Sequence, residues 1–130
     1  MKTIILLTLV ILALNSSASE EKIGLATYYT TKSCQREGTS GVFTANGERF
    51  NEQDFTCAMR SRKWNSRFKV TNLENGKSIE VRTNDYGPNA RCAKRGVIID
   101  LTPAGWEALG LKPIGAKNGR GEVKVKVEEL

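Results

Sequence analysis

Residues 68–73 and 78–84 alternate apolar and polar side chains, and only Glu74-Asn75-Gly76-Lys77 separates the two runs. Asn-Gly tolerates positive φ at the tip of a tight turn, so the two runs are predicted to form an antiparallel hairpin, the most stable local unit of the chain. Residues 22–31, rich in aromatic and β-branched side chains, read as a first strand; 41–44 and 55–59 read as short strands flanking the Asn46-Gly47 turn. The apolar run 96–101 is consistent with a strand buried on both faces. Val123, Val125 and Val127 alternate with Lys124, Lys126 and Glu128, the pattern of a last strand with one wet face. Between these strands the periodicity changes once. Thr102 is a good N-cap, Pro103 suits the first helical position and Gly110 supplies a stop, which predicts a short helix with Trp106 and Leu109 turned to the core. Many short strands with one helix and no repeat argue for a mainly β fold, a small mixed barrel whose closure hides its strand edges.

The first residues set a compartment. Lys2, the apolar run 4–14 and the small residues of Asn15-Ser16-Ser17-Ala18-Ser19 read as a secretory signal over residues 1–18, leaving one exported domain over 19–130. The apolar run is short for a bilayer span and no second one follows, so no stable membrane insertion is expected after cleavage. No cysteine stands at the cleavage region, so no lipid anchor is expected there. The protein is expected to be secreted, in the periplasm or at the cell wall, as a monomer. It carries 20 Lys and Arg, one of them Lys2, against 14 Asp and Glu. A basic exported protein is drawn to polyanions such as wall carboxylates, teichoic acids and anionic lipid, while export sets nucleic acid aside. A merely solvated lysine surface gives the same composition. Cys34, Cys57 and Cys92 predict one disulfide and one thiol. A Cys34–Cys57 bridge closes the loop bearing Glu48; Cys57 with Cys92 is the rival. With no histidine and no cluster spacing among the cysteines, no zinc site is expected.

Three carboxylates stand where chemistry can use them. Asp85 follows the alternating Ile79-Glu80-Val81-Arg82 and precedes Gly87-Pro88, which places it where a strand ends and a loop begins. An Asx turn uses the same residue types without catalysis. Glu48 lies in Thr44-Ala45-Asn46-Gly47-Glu48, and Asp100 in Val97-Ile98-Ile99-Asp100-Leu101. Together with Val70-Thr71-Asn72-Leu73, Asn75-Gly76-Lys77-Ser78 and Asn84-Asp85-Tyr86-Gly87-Pro88, these segments resemble, in order, the rare lipoprotein A (RlpA) family of septal lytic transglycosylases. The resemblance runs from Gly24-Leu25-Ala26-Thr27-Tyr28-Tyr29 to Val123-Lys124-Val125-Lys126-Val127.

That resemblance implies a six-stranded double-psi β-barrel with one short helix. It also implies an endolytic peptidoglycan transglycosylase that acts on glycan strands without metal or organic cofactor. In such an enzyme the C6 hydroxyl of the muramic sugar replaces water as nucleophile, so one carboxyl can give a proton and take one back. By match to the family motif, Asp85 is the general acid/base, and Glu48 holds substrate or stabilises positive charge. Asn46, Asn84 and Tyr86 are expected to contact sugar, with Trp64 in the basic loop Arg60-Ser61-Arg62-Lys63-Trp64 as a further stacking or phosphate-meeting residue. Asp100 either lines the same groove or hydrogen-bonds backbone amides near the helix start as a buried organiser. Of Tyr28 and Tyr29, one is expected in the core. Where the family has a histidine this chain has Met59, which carries no proton. Two readings follow: an enzyme that works with a single acid, or an expansin-like module that binds or loosens wall polysaccharide without cutting it. A secreted effector with another target is the third class.

Overall fold

The structure, a computed structural model, describes residues 20–36 and 42–130. The predicted signal over 1–18 lies outside them. Six strands close into a barrel in the order β1 (Glu21–Tyr28), β5 (Val97–Leu101), β2 (Thr56–Met59), β4 (Ser78–Tyr86), β3 (Arg67–Asn72), β6 (Val123–Glu129) and back to β1. Two neighbouring pairs are parallel, β1 with β5 and β2 with β4, and the remaining four are antiparallel. This mainly β arrangement is consistent with the double-psi barrel.

Each strand contributes its alternate apolar residues to one interior: Ala26, Cys57, Val70, Val81, Ile99, Leu101, Val123, Val125 and Val127 are buried in a single cluster. The predicted helix appears as α3 (Pro103–Ala108), with the Thr102 hydroxyl accepting from Gly105 N–H and Pro103 in its first turn. Trp106 and Leu109 are buried in the core as predicted. The hairpin tip fastens the helix exit, because Asn72 Nδ2 and Asn75 Nδ2 both donate to Leu109 O, at 3.1 and 2.9 Å. Gly110 leaves the helix at φ 78°, where a side chain is strained.

Several expectations are corrected. Among the described residues there are three short helices rather than one: α1 (Thr31–Arg36) and α2 (Ala90–Lys94) join α3. Neither carries an amphipathic run long enough to read; α2 is a single turn started by the Asn89 side chain on Cys92 N–H. In place of a strand at 41–44 the described part forms one bridge, Phe43 with Arg49, because the Asn46-Gly47 turn folds the segment back on itself. Strand β5 is not buried on both faces. Val97, Ile99 and Leu101 point inward, while Ile98 and Asp100 are half-buried on the other side. The Cys34–Cys57 bridge is not formed: Cys57 is fully buried in the core cluster from β2, whereas Cys34 sits half-buried on α1.

Candidate active site

Three segments remote in sequence meet at the end of β4. Arg82 and Asn84 are two apart on that strand and so face the same side. Both reach Glu48. Arg82 Nη1 donates to Glu48 Oε1 at 2.6 Å and Nη2 to Oε2 at 3.0 Å, a bidentate pair. Asn46 Nδ2 adds a bond to Oε1 at 2.9 Å, and Asn84 Nδ2 one to Oε2 at 3.3 Å. Hydrogen bonding from Arg82, then from Asn46, holds the Glu48 carboxyl down to about 2, so it is a fixed anion at neutral pH. Arg82 Nη1 also donates to Asn65 Oδ1 at 2.8 Å, which ties in the loop carrying Trp64.

The turn that presents Glu48 is closed locally, Thr44 N–H donating to Glu48 O at 2.8 Å and Gly47 N–H to Thr44 O at 3.0 Å, with Gly47 at φ 90°. Its peptide groups then clasp β4. Ala45 N–H donates to Asp85 Oδ1 at 3.0 Å, and Asn46 N–H to Asn84 O at 3.2 Å. Tyr86 N–H gives the same Asp85 oxygen a second bond at 2.9 Å. Asp85 is half-buried, the penultimate residue of β4. Asn84 is buried, and its Oδ1 finds no hydrogen-bond donor.

A second aspartate stands nearby. Ala58 on β2 pairs with Asp85 on one side and with Asp100 on the other, so the two acids flank one alanine across three adjacent strands. Gly87 lies over this row: a Cβ built on it comes within 3.6 Å of the Ala58 methyl and 3.7 Å of Asp100 Oδ2. Thr27 Oγ1 on β1 donates to Asp100 Oδ1. The helix start, which Asp100 would organise in one of its two readings, is capped by the Thr102 hydroxyl.

Tyr86 is 40% exposed beside Asp85. The guanidinium of Arg62 lies 4.6 Å from its ring centroid and that of Arg60 5.4 Å, the latter also donating to Pro88 O at 2.9 Å. The result is a cationic, aromatic shelf next to a carboxylate. Trp64 is half-buried in the same loop. Met59 turns toward the core cluster and lines a cavity of about 160 Å³ with Lys63, Ser66, Phe68 and Thr83. That volume is well below the roughly 300–1,000 Å³ of small-molecule pockets.

The sequence-predicted residues Glu48, Asn46, Asn84, Asp85 and Tyr86 are thus gathered at one rim, with Asp100 two strands away across Ala58. Arg82 and the Ala45 peptide were not among the expected site groups, and the basic loop Arg60-Ser61-Arg62-Lys63-Trp64 was, though not through the contact of its arginines with Tyr86. Arg82 was readable, since it shares a strand face with Asn84; the Ala45 contact was not, because a backbone N–H leaves no sequence signal. Among the described residues no group of three or more His, Cys, Asp or Glu is placed to hold a metal ion.

Residues 21–127 match the family model described as lytic transglycolase. Among similar proteins, the "Probable endolytic peptidoglycan transglycosylase RlpA" of Synechocystis sp. is 41% identical over 97 residues, 75% of this chain and 27% of the relative. The "Endolytic peptidoglycan transglycosylase RlpA" of Haemophilus influenzae is 37% identical over 112 residues, 86% of this chain and 34% of the relative. The protein of the same name from Rickettsia felis is 34% identical over 116 residues, 89% of this chain and 45% of the relative. The chain therefore spans less than half the length of these curated relatives. With a match of this breadth carried by the barrel and its β4 rim, the chain belongs to the RlpA-like family of lytic transglycosylases.

Proposed function

We propose that this protein is an exported endolytic transglycosylase that cuts peptidoglycan glycan strands, with Asp85 as its single acid/base. The observation that carries this reading is the seating of Asp85 at the end of β4. One carboxylate oxygen is fixed by two peptide N–H groups, and the neighbouring acid, Glu48, is neutralised by Arg82. In the reaction, protonated Asp85 gives its proton to the bridging oxygen as the C1–O bond breaks. The positive charge that develops on the sugar is of oxocarbenium type. The C6 hydroxyl of the same muramic residue then bonds to C1, its proton returns to Asp85, and a 1,6-anhydro end is left without consumption of water.

Glu48, held by Arg82, fixes the amides of Asn46 and Asn84 for sugar contact. Tyr86, backed by Arg60 and Arg62, offers a stacking face and positive charge to an acidic glycan strand, with Trp64 farther along the loop and Asp100 beyond Ala58. The leader-like segment and the wall polymer named for the relatives agree on an extracytoplasmic place of action. The relatives' names also support peptidoglycan as partner.

A second reading, a non-catalytic expansin-like module, is favoured by Met59. It packs toward the core and leaves no imidazole at the rim. Mass spectrometry of products from peptide-free glycan strands decides between them. The wild type is expected to release 1,6-anhydromuramic ends and Asp85→Asn none. Strand binding without products from the wild type would overturn the enzymatic reading and favour the module.

A further inference from the structure

The hydroxyl of Tyr29 is buried and closes no hydrogen bond of normal geometry. Buried phenols nearly always find a partner, so this orphan requires an account. The residue is held firmly. Its N–H donates to Leu101 O at 3.0 Å, and its ring stacks on Phe50 with centroids 4.7 Å apart. Phe50 ends the same turn whose Ala45 N–H grips Asp85. The groups that bear on the phenol are Asp85 from β4, Cys57 from β2 and Cys34 from α1. Burial keeps the Cys57 thiol protonated, so Asp85 is the anion among the core-side neighbours. Burial first, and then the Asp85 carboxylate, push the phenol well above its ordinary range, which makes it a permanent donor.

We propose that Tyr29 is a positioning residue for Asp85: its hydroxyl, left without another partner, donates to the Asp85 carboxylate and steadies the charged state that exists between proton release and proton return. A chain without histidine has in this phenol a second proton-bearing group at the rim. The groups around the Asp85 carboxyl are the Ala45 and Tyr86 peptides, Tyr29, Asp100 across Ala58, and the Arg60 and Arg62 guanidiniums over the Tyr86 ring. Only Tyr29 is removed by a substitution that preserves the ring packing.

The catalytic part of this inference rests on the transglycosylase reading, but the contact itself can be tested without turnover. The carboxyl carbon of Asp85 is followed by NMR in ¹³C-aspartate-labelled protein, assigned by its absence in Asp85→Asn, as pH is varied in wild type and Tyr29→Phe. Loss of a donor to the carboxylate is expected to raise the titration midpoint by roughly one pH unit. In product assays the alkaline limb, where Asp85 loses the proton it must donate, moves up with it, and kcat falls about tenfold with KM unchanged. An unchanged midpoint overturns the proposal. If Tyr29→Phe does not fold, the reciprocal measurement stands: the ¹³Cζ resonance of Tyr29 should follow the ionisation of Asp85 in the wild type and lose that pH dependence in Asp85→Asn, and no dependence in the wild type overturns the proposal. A shifted midpoint in a protein that releases no anhydro ends would leave the contact standing and sink the enzymatic reading alone.

Discussion

The barrel contains two parallel strand pairs, β1 with β5 and β2 with β4, and they use the same construction to different ends. Each pair has a register shift, between Leu25 and Ala26 in the first and between Cys57 and Ala58 in the second, and each places an aspartate just beyond it. In the first pair the residue opposite Asp100 is Thr27, whose hydroxyl binds the carboxylate within the wall. In the second pair the residue opposite Asp85 is Ala58, whose methyl offers no hydrogen bond. Asp85 therefore takes its partners from peptide groups, one of them in the turn after Thr44. A change from threonine to alanine at the facing position separates a carboxylate held within the wall from one presented to a loop cluster.

The largest effect that would sharpen this contrast is on turnover. Asp85→Asn is expected to lower anhydro-product formation by roughly a thousandfold or more while the thermal midpoint barely moves, read by product analysis and calorimetry on the same sample. Comparable activity in the variant would erase the distinction between the two aspartates. Next comes packing in the first pair. A Cβ on Gly24 would meet Ile98 Cγ2 at 2.8 Å and Gly96 O at 3.0 Å, so Gly24→Ala is expected to cost about 2 kcal/mol in urea unfolding. Asp100→Ala leaves the Thr27 hydroxyl without its acceptor and is expected to cost about 1–2 kcal/mol, with product formation reduced far less than in Asp85→Asn. If the two substitutions instead abolish activity equally, Asp100 belongs to the reacting centre.

The smallest effect is electrostatic. Because the folded-state value for Glu48 lies near 2, below the ordinary 4.5, its contribution to stability is fully present above about pH 4.5 and is lost as pH falls toward 2. The Arg82–Glu48 side chains are each 37% exposed, so solvent screening reduces that contribution to about 1 kcal/mol. Glu48→Gln should flatten the acid limb of stability between pH 4.5 and 2 in denaturant melts. An identical acid limb in both proteins would show that the ion pair is not what fixes the turn to β4.

Legibility in the sequence followed the range of the interaction. The β3–β4 hairpin, the valine alternation of β6 and the Thr102-Pro103 helix start were readable because each is written within a few residues. Helices α1 and α2 were not, since a single turn bears no periodicity. The expected Cys34–Cys57 bridge failed for a tertiary reason, the inward orientation of Cys57. The site motif identified Asp85, Glu48, Asn46, Asn84 and Tyr86 as a group, but it could not distinguish how the carboxylates are bound.

By itself the sequence determined that this is a mainly β domain, where its turns fall, and that Asp85 stands at a strand end, because backbone propensity and side-chain alternation act locally. Only the tertiary structure decided that Glu48 is clamped by Arg82, that Asp85 and Asp100 flank Ala58, and that the Tyr29 hydroxyl is buried without a hydrogen-bond partner. Each of these depends on strand register around a closed barrel, and register is set by packing the whole interior at once.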